Sequence, residues 1–183
     1  MESRNLSQLP PFDKESGALN IIVETPKNGR IKYKYNEEYG MFQLDKSLPF
    51  GFSFPFEFGF VPSTIGGDGD PLDVLVLSDE STFPGCLVLG QVLGALKAEE
   101  REGKKLNRND RLVAVPLSVK TREPMIPTRM LDKALISDIT KFFISYNEMQ
   151  GKKIKSLGFG SRERALELVE EARKRARRKA NGS

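Results

Sequence analysis

The chain has no histidine, no tryptophan and one cysteine, Cys86, in 183 residues. Each shortage excludes chemistry. Without histidine there is no Ser-His-Asp or Cys-His relay and no imidazole ligand for zinc, and one cysteine cannot build a thiolate cage. An intrachain disulfide is impossible, which fits a reducing compartment, and Cys86 reads as a small buried hydrophobe. Any metal must be a hard cation held by oxygen: Mg²⁺, Mn²⁺ or Ca²⁺. Any catalysis must run on carboxylates, Lys, Arg, Tyr or metal-bound water. No apolar run approaches the ~20 residues of a membrane span, and the opening "MESRNLSQLPPFDKESG" lacks the apolar stretch of a secretory signal. A cytoplasmic protein without a membrane partner is expected.

Charge of one sign is also scarce over most of the chain. There are 29 Lys/Arg against 25 Asp/Glu, a net +4, and Ser161–Ser183 holds eight basic and four acidic residues, which accounts for the whole excess. Nucleic acid bound across the main fold is therefore not expected. The tail "RKRARRK" suits a helix C-terminus, where cations offset the dipole. The aromatics cluster in "PFGFSFPFEFGF", whose only charge is Glu57. Single-strand binders interleave aromatic platforms with cations, so this segment reads as buried core.

The length predicts one domain over 1–183, with an extended arm at 1–18 and a basic C-terminal helix at 161–183. "LNIIVET" is a strand. "RIKYKY" and "YGMFQLD" form a hairpin about "NEE". Alternation puts Ile31, Tyr33 and Tyr35 on one face and Lys32, Lys34 and Asn36 on the other. "LDVLVL" is a strand buried on both faces. "GCLVLGQVLGALKA" is a long strand bent at its glycines, "EEREGKKLNRNDR" a charged loop or hairpin tip, and "RLVAVPLS" a further strand. Two helices follow. "TRMLDKALISDITKFFISYNEM" has Leu131, Leu135, Ile139, Phe142, Tyr146 and Met149 at helical spacing. "SRERALELVEEARKRARRKA" has Ser161 as N-cap and Ala165, Leu168, Val169 and Ala172 on one face. The class is α+β: a small, strongly curved sheet or barrel, then two main helices in the C-terminal third.

The segment that carries chemistry is "GGDGDPLDVLVL", Gly66 to Leu77. Asp68, Asp70 and Asp73 crowd beside an apolar strand, and like charges so close repel unless a cation lies among them. A metal ion, a Lys/Arg cluster and plain water are all open on this ground. Gly66, Gly67 and Gly69 permit a tight loop and Pro71 stiffens it. An EF-hand is excluded, because Leu72 and Asp73 stand where that loop needs an oxygen ligand and a glycine. A phosphoaspartate site is disfavoured, because D-x-D here precedes its strand. A solvated turn is the plainest alternative, but an aspartate at the edge of a buried strand needs a partner.

"DGDPLDVLVL" resembles the D-x-D-P-x-D signature of the soluble family I inorganic pyrophosphatases. The resemblance spans roughly residues 19–160, with "IVETP", "IKYKY", "FGFVPSTIGGDGDPLDVLV", "GQVLGALKAEE", "RLVAVPLS" and "ITKFFISYNEMQGKK" in the family's order. It implies a five-stranded oligonucleotide-binding-type (OB-like) barrel, hydrolysis of pyrophosphate to two phosphates, several Mg²⁺ ions with Mn²⁺ as a substitute, and a homo-oligomer. Asp68, Asp70 and Asp73 match its metal aspartates, and Asp70 the residue assigned to the attacking water. Glu24 matches a site carboxylate, Lys32 a phosphate-binding lysine and Tyr146 a substrate-binding tyrosine. A place in the apolar helix face is the alternative for Tyr146.

The sequence departs from the family's pattern on the phosphate side. Lys34 stands for glutamate, Lys46 for a phosphate-binding arginine, Phe54 and Phe58 for tyrosines, and Asn147 for lysine. The later metal segment, D-E-x-G then D-x-K in the family, is longer here. Glu99 or Glu100 is matched to its first aspartate, Asp110 to its second with the spacing off by one, and Arg111 to its lysine. Lys34, Arg111, Lys152 and Lys153 are candidates for the charge lost at Asn147. The metal half is thus retained and the phosphate half remodelled, which leaves hydrolysis of another phosphoanhydride, or phosphate binding without turnover, as the alternative function.

Overall fold

A computed structural model of the chain describes residues 5–181, with all their side chains except that of Glu102. Nine strands and two α-helices run in the order β1 (Leu19–Thr25), β2 (Ile31–Asn36), β3 (Met41–Ser47), β4 (Glu57–Val61), β5 (Leu72–Val76), β6 (Leu87–Glu102), β7 (Lys105–Arg108), β8 (Arg111–Pro116), α1 (Lys133–Glu148), β9 (Lys153–Gly160) and α2 (Arg162–Asn181). The strands β1-β4-β5-β8-β6 form a path, and β6 pairs back onto β1. The five therefore close into a ring, as in an OB-like barrel. β5 and β8 run parallel; the other pairs in the ring are antiparallel. β7 and β9 extend β6, while β2 and β3 form a separate two-stranded sheet.

β6 serves so many partners because it is long and bent. Its register slips at Val92/Gly94 and again at Leu96/Ala98. A Cβ at Gly94 would lie 2.3 Å from the Phe159 ring, so only glycine lets β9 approach there. Alternation along the ring strands sorts the core into two. Leu72, Val74, Val76, Leu112 and Ala114 pack with Ala165, Leu168, Val169 and Ala172 of α2. Leu75, Leu77, Val113 and Val115 pack with Ile139, Phe143 and Tyr146 of α1 and with Phe54 and Phe58. Asp73 and Arg111 share the alternation of the second set, so both belong to the α1 side.

Several expectations need correction. α1 starts five residues later than its apolar pattern suggests: Thr128–Met130 is a 3₁₀ turn, and Asp132 caps α1 by accepting the Leu135 N–H at 2.8 Å. Phe143 and Asn147 are buried, while Met149 is exposed. The Phe-rich segment carries β4, and β9 was not expected, because its polar face and two glycines mask the strand pattern. The arm at 5–18 is packed: Leu6 and Leu9 lie on Ile22, Tyr35 and Phe60, and the Leu6 N–H donates to the Tyr35 hydroxyl at 3.1 Å. Cys86 is half-buried rather than core. Among the described residues no helix is long and apolar enough to cross a membrane.

Candidate active site

The aspartate loop is a braced connection between β4 and β5. Thr64 ties its ends, its hydroxyl donating to the Val61 carbonyl at 2.6 Å and accepting the Leu72 N–H at 3.0 Å. Ile65 is held from α2: its N–H donates to Ala172 O, and its carbonyl accepts Arg175 Nε at 2.8 Å. A Cβ at Gly67 would lie 2.6 Å from the Arg108 carbonyl, and Gly69 adopts φ +99°. The sequence "GGDGDP" is thus dictated by close backbone approach and a left-handed turn as much as by charge. Within the loop the Asp70 N–H donates to Asp68 Oδ1 at 3.2 Å.

Asp73 lies one strand residue inside, opposite Phe60 across the β4–β5 ladder. Glu24, near the end of β1, is buried and accepts the Tyr35 N–H at 3.0 Å. A cleft of about 280 Å³ brings Glu24, Asp70 and Asp73 together with Lys32 and Lys34 of β2. Burial pushes Glu24 up to about 7, with the Asp73 charge adding to the effect and the Tyr35 N–H opposing it. Burial pushes Asp73 up to about 6 against the pull of Arg111 and Lys32. Burial also raises Asp68, and the charge of Asp70 contributes.

Cations gather on the opposite side. Lys32 sits over the Phe58 ring at 5.6 Å. Burial opposes its charge, yet Tyr146, Asp73 and Glu24 around it hold the ammonium above its ordinary value. Lys34 reaches Asp70 at 3.4 Å, both groups being exposed. Lys46 lies opposite Lys32 in the hairpin and donates to the Gln150 side chain. Burial lowers its pKa, and the nearby charges of Lys32 and Lys152 lower it further. Arg111 reaches Asp73 at 3.7 Å and Glu100 at 4.0 Å, and its guanidinium covers the Phe143 ring at 4.5 Å. Its Nε is buried without a hydrogen-bond partner. The Tyr146 hydroxyl is buried and partnerless too, in an aromatic cluster with Phe54 and Phe142. A buried polar atom left unpaired is costly; Arg111 Nε is the atom that faces Asp73 at 3.7 Å, so of these two the Tyr146 hydroxyl is the one left without a counterpart.

Two sequence-derived residues are not brought into this cluster. Asp110 is buried but committed elsewhere, its Oδ1 accepting Arg108 Nε at 2.8 Å and the Ala98 N–H at 2.9 Å. As the chain neighbour of Arg111, it faces away when Arg111 faces Asp73. Asn147 donates to the Phe143 carbonyl one helical turn back, at 2.8 Å, and is buried there. Of Glu99 and Glu100, both matched to the first aspartate of that segment, Glu100 is the one that lies beside Arg111, at 4.0 Å. It is buried, with Lys152 at 2.8 Å on Oε1 and Asn109 Nδ2 at 3.0 Å on Oε2. The signal was available in the period of two: Leu96, Ala98 and Glu100 are all buried.

The chain has counterparts among known proteins. The family model described as inorganic pyrophosphatase matches residues 21–177. The chain belongs to the inorganic pyrophosphatase family. It is 34% identical to the inorganic pyrophosphatase of Sulfolobus acidocaldarius, over 92% of this chain and 96% of that one. It is 32% identical to that of a Synechocystis strain, over 91% and 96% respectively. The crystal structure of the Thermus thermophilus inorganic pyrophosphatase superposes with a TM-score of 0.82 at 31% identity, covering 94% of this chain and 99% of that one. The pyrophosphatase family is metal-dependent. The donors here suit a hard divalent cation: they are carboxylate oxygens, and burial pushes both Asp68 and Asp73 up. Among the described residues, however, no three acidic side chains are gathered closely enough to form a complete cage.

Proposed function

We propose that this pyrophosphatase-family chain hydrolyses inorganic pyrophosphate to two orthophosphates by direct attack of water, with Mg²⁺ as its natural cofactor and Mn²⁺ as a substitute. The observation that carries this reading is the cleft itself, in which Glu24, Asp70 and Asp73 face Lys32 and Lys34. Asp68, Asp70 and Asp73 would hold the divalent ions, which supply Lewis-acid charge and lower the pKa of bound water when present. Asp70, the exposed member of the three, accepts the proton of the attacking water or orients it. Lys32, backed by the Phe58 ring, meets the charge on the phosphate oxygens together with Arg111, Lys46 and Lys34. The partnerless Tyr146 hydroxyl donates to a phosphate oxygen. Glu24 accepts the Tyr35 N–H, holds the β2 backbone through it and so positions Lys32 and Lys34.

Release of phosphate by purified protein from pyrophosphate and Mg²⁺ tests this directly. Turnover no greater than that of Asp70→Asn would defeat it. One observation favours a second reading. Phe54 and Phe58 bring no hydroxyl to the cleft and Asn147 is turned back on its helix, so the grip on substrate differs from the family's pattern. Faster turnover of tripolyphosphate or a nucleoside triphosphate than of pyrophosphate would establish that reading. The chain is further read as one cytoplasmic domain that forms a homo-oligomer. Exposed Met41, Leu44, Phe50 and Phe83 support association, and light scattering during gel filtration measures it.

A further inference from the structure

The β6–β8 edge of the cleft carries its own cations. Glu100 is buried, and its oxygens are engaged by protein donors: Oε1 by Lys152 at 2.8 Å, Oε2 by Asn109 Nδ2 at 3.0 Å and, more distantly, by Arg111 at 4.0 Å. Arg111 continues the chain of charge to Asp73 at 3.7 Å. Burial works against ionisation of Glu100, yet Lys152 and Arg111 hold it below the usual carboxylate range. The other carboxylate of this edge, Asp110, faces Arg108 and the Ala98 N–H. Glu100 is thus satisfied and Asp110 is turned away, whereas Asp68 takes the Asp70 N–H at 3.2 Å and Asp73 has Arg111 no nearer than 3.7 Å.

We propose that Arg111 and Lys152, positioned through Glu100 and Asn109, are fixed protein cations that serve this edge in place of a metal ion, so that divalent metal is confined to the Asp68–Asp70–Asp73 side. The inference rests on the pyrophosphatase reading for its substrate, but not for its test. A bound divalent ion on Glu100 would have to displace an ammonium and an amide that are already seated at hydrogen-bond distance. A guanidinium and an ammonium give the same attraction for phosphate oxygens without a metal-binding equilibrium.

The experiment counts Mn²⁺ bound per chain by the electron paramagnetic resonance of the free ion, with and without imidodiphosphate. Glu100→Gln keeps the wild-type number in both conditions, while Asp73→Asn loses at least one ion. Lys152→Met, which keeps the aliphatic stem, loses no Mn²⁺ and weakens imidodiphosphate binding about tenfold at a fixed low Mn²⁺ concentration. Loss of an ion in Glu100→Gln or Lys152→Met, or unchanged imidodiphosphate binding in Lys152→Met, overturns the proposal; gain of an ion in Lys152→Met supports it, because the vacated Oε1 then admits the metal that the ammonium excludes. If Glu100→Gln fails to fold, Lys152→Met alone decides by the same two readings. Absence of pyrophosphate turnover in the wild type overturns the functional reading and leaves the ion count standing.

Discussion

Asp73 sits in β5, which is hydrogen-bonded to β4 on one edge and β8 on the other, while Lys32, Lys34 and Lys46 sit on the β2–β3 hairpin, a sheet of its own. The aspartate loop is tied to the barrel by Thr64 and to α2 by Ile65 and Arg175. The hairpin shows mostly exposed or half-buried residues, with Tyr35 its one buried member. A carboxylate on the barrel cannot relax, so its charge has to be met where it stands. A lysine on the hairpin carries a long flexible stem and adjusts to what it meets. Lys34 and Lys46, which replace the residues the family pattern would place there, both fall on the adaptable support, and the D-x-D-P-x-D signature falls on the rigid one.

Breaking the acidic half should have the largest effect. Asp70→Asn is expected to lower kcat on the order of 10³-fold while leaving the melting temperature nearly unchanged, because Asp70 is exposed; a loss below tenfold would remove it from the chemistry. The next effect is on stability against pH in metal-free protein. The folded-state pKa of Glu24 is about 7 against an ordinary 4.5, so the folded state holds the proton more tightly than the unfolded chain. Glu24 thus adds stability below about pH 4.5 that is lost as pH rises through 7, roughly 2–3 kcal/mol. Asp73 acts with the same sign between its ordinary 3.8 and about 6. Chemical denaturation at pH 4.5 and 7.5 in EDTA measures the loss, and Glu24→Gln should flatten it. Saturating Mg²⁺ should restore stability at the upper end.

A smaller effect tests the junction of the two halves. Tyr146→Phe removes a buried, unpaired hydroxyl and should stabilise the protein by about 1 kcal/mol, yet lower kcat/KM about tenfold. If stability rises and kinetics stay unchanged, Tyr146 is core only. The smallest effect belongs to the hairpin. Lys34→Ala, which breaks an exposed 3.4 Å pair with Asp70, should raise KM severalfold and shift stability by less than about 0.5 kcal/mol. A large change in kcat instead would place Lys34 on the rigid side of the comparison.

Residues whose role depends on local pattern were legible. The apolar runs of β1, β5 and β8 gave their strands, the i, i+3, i+4, i+7 spacing gave α2 with all four named residues buried, and the D-x-D-P-x-D spacing named the family. What was not legible depended on alternation near a hairpin or on who stands opposite. Alternation continued from Leu96 and Ala98 reaches Glu100, but only the register of β6 against β7 and β9 sets it beside Lys152 and turns Asp110 toward Arg108. Lys152 belongs to β9's approach, 52 residues away from Glu100 in the chain.

The sequence by itself determined the kind of chemistry: without histidine and with one cysteine, only oxygen ligands and Lys, Arg and Tyr were available, and the D-x-D-P-x-D stretch put three carboxylates within six residues. The tertiary structure decided which charges meet. Pairing of β1 and β5 on the two edges of β4 carries Glu24 to Asp73, folding the hairpin over carries Lys32 to both, and bending β6 carries Glu100 to Arg111 and Lys152. These encounters join segments far apart in the chain, and the energy of a charge depends on what lies within a few ångströms of it rather than on its neighbours in sequence.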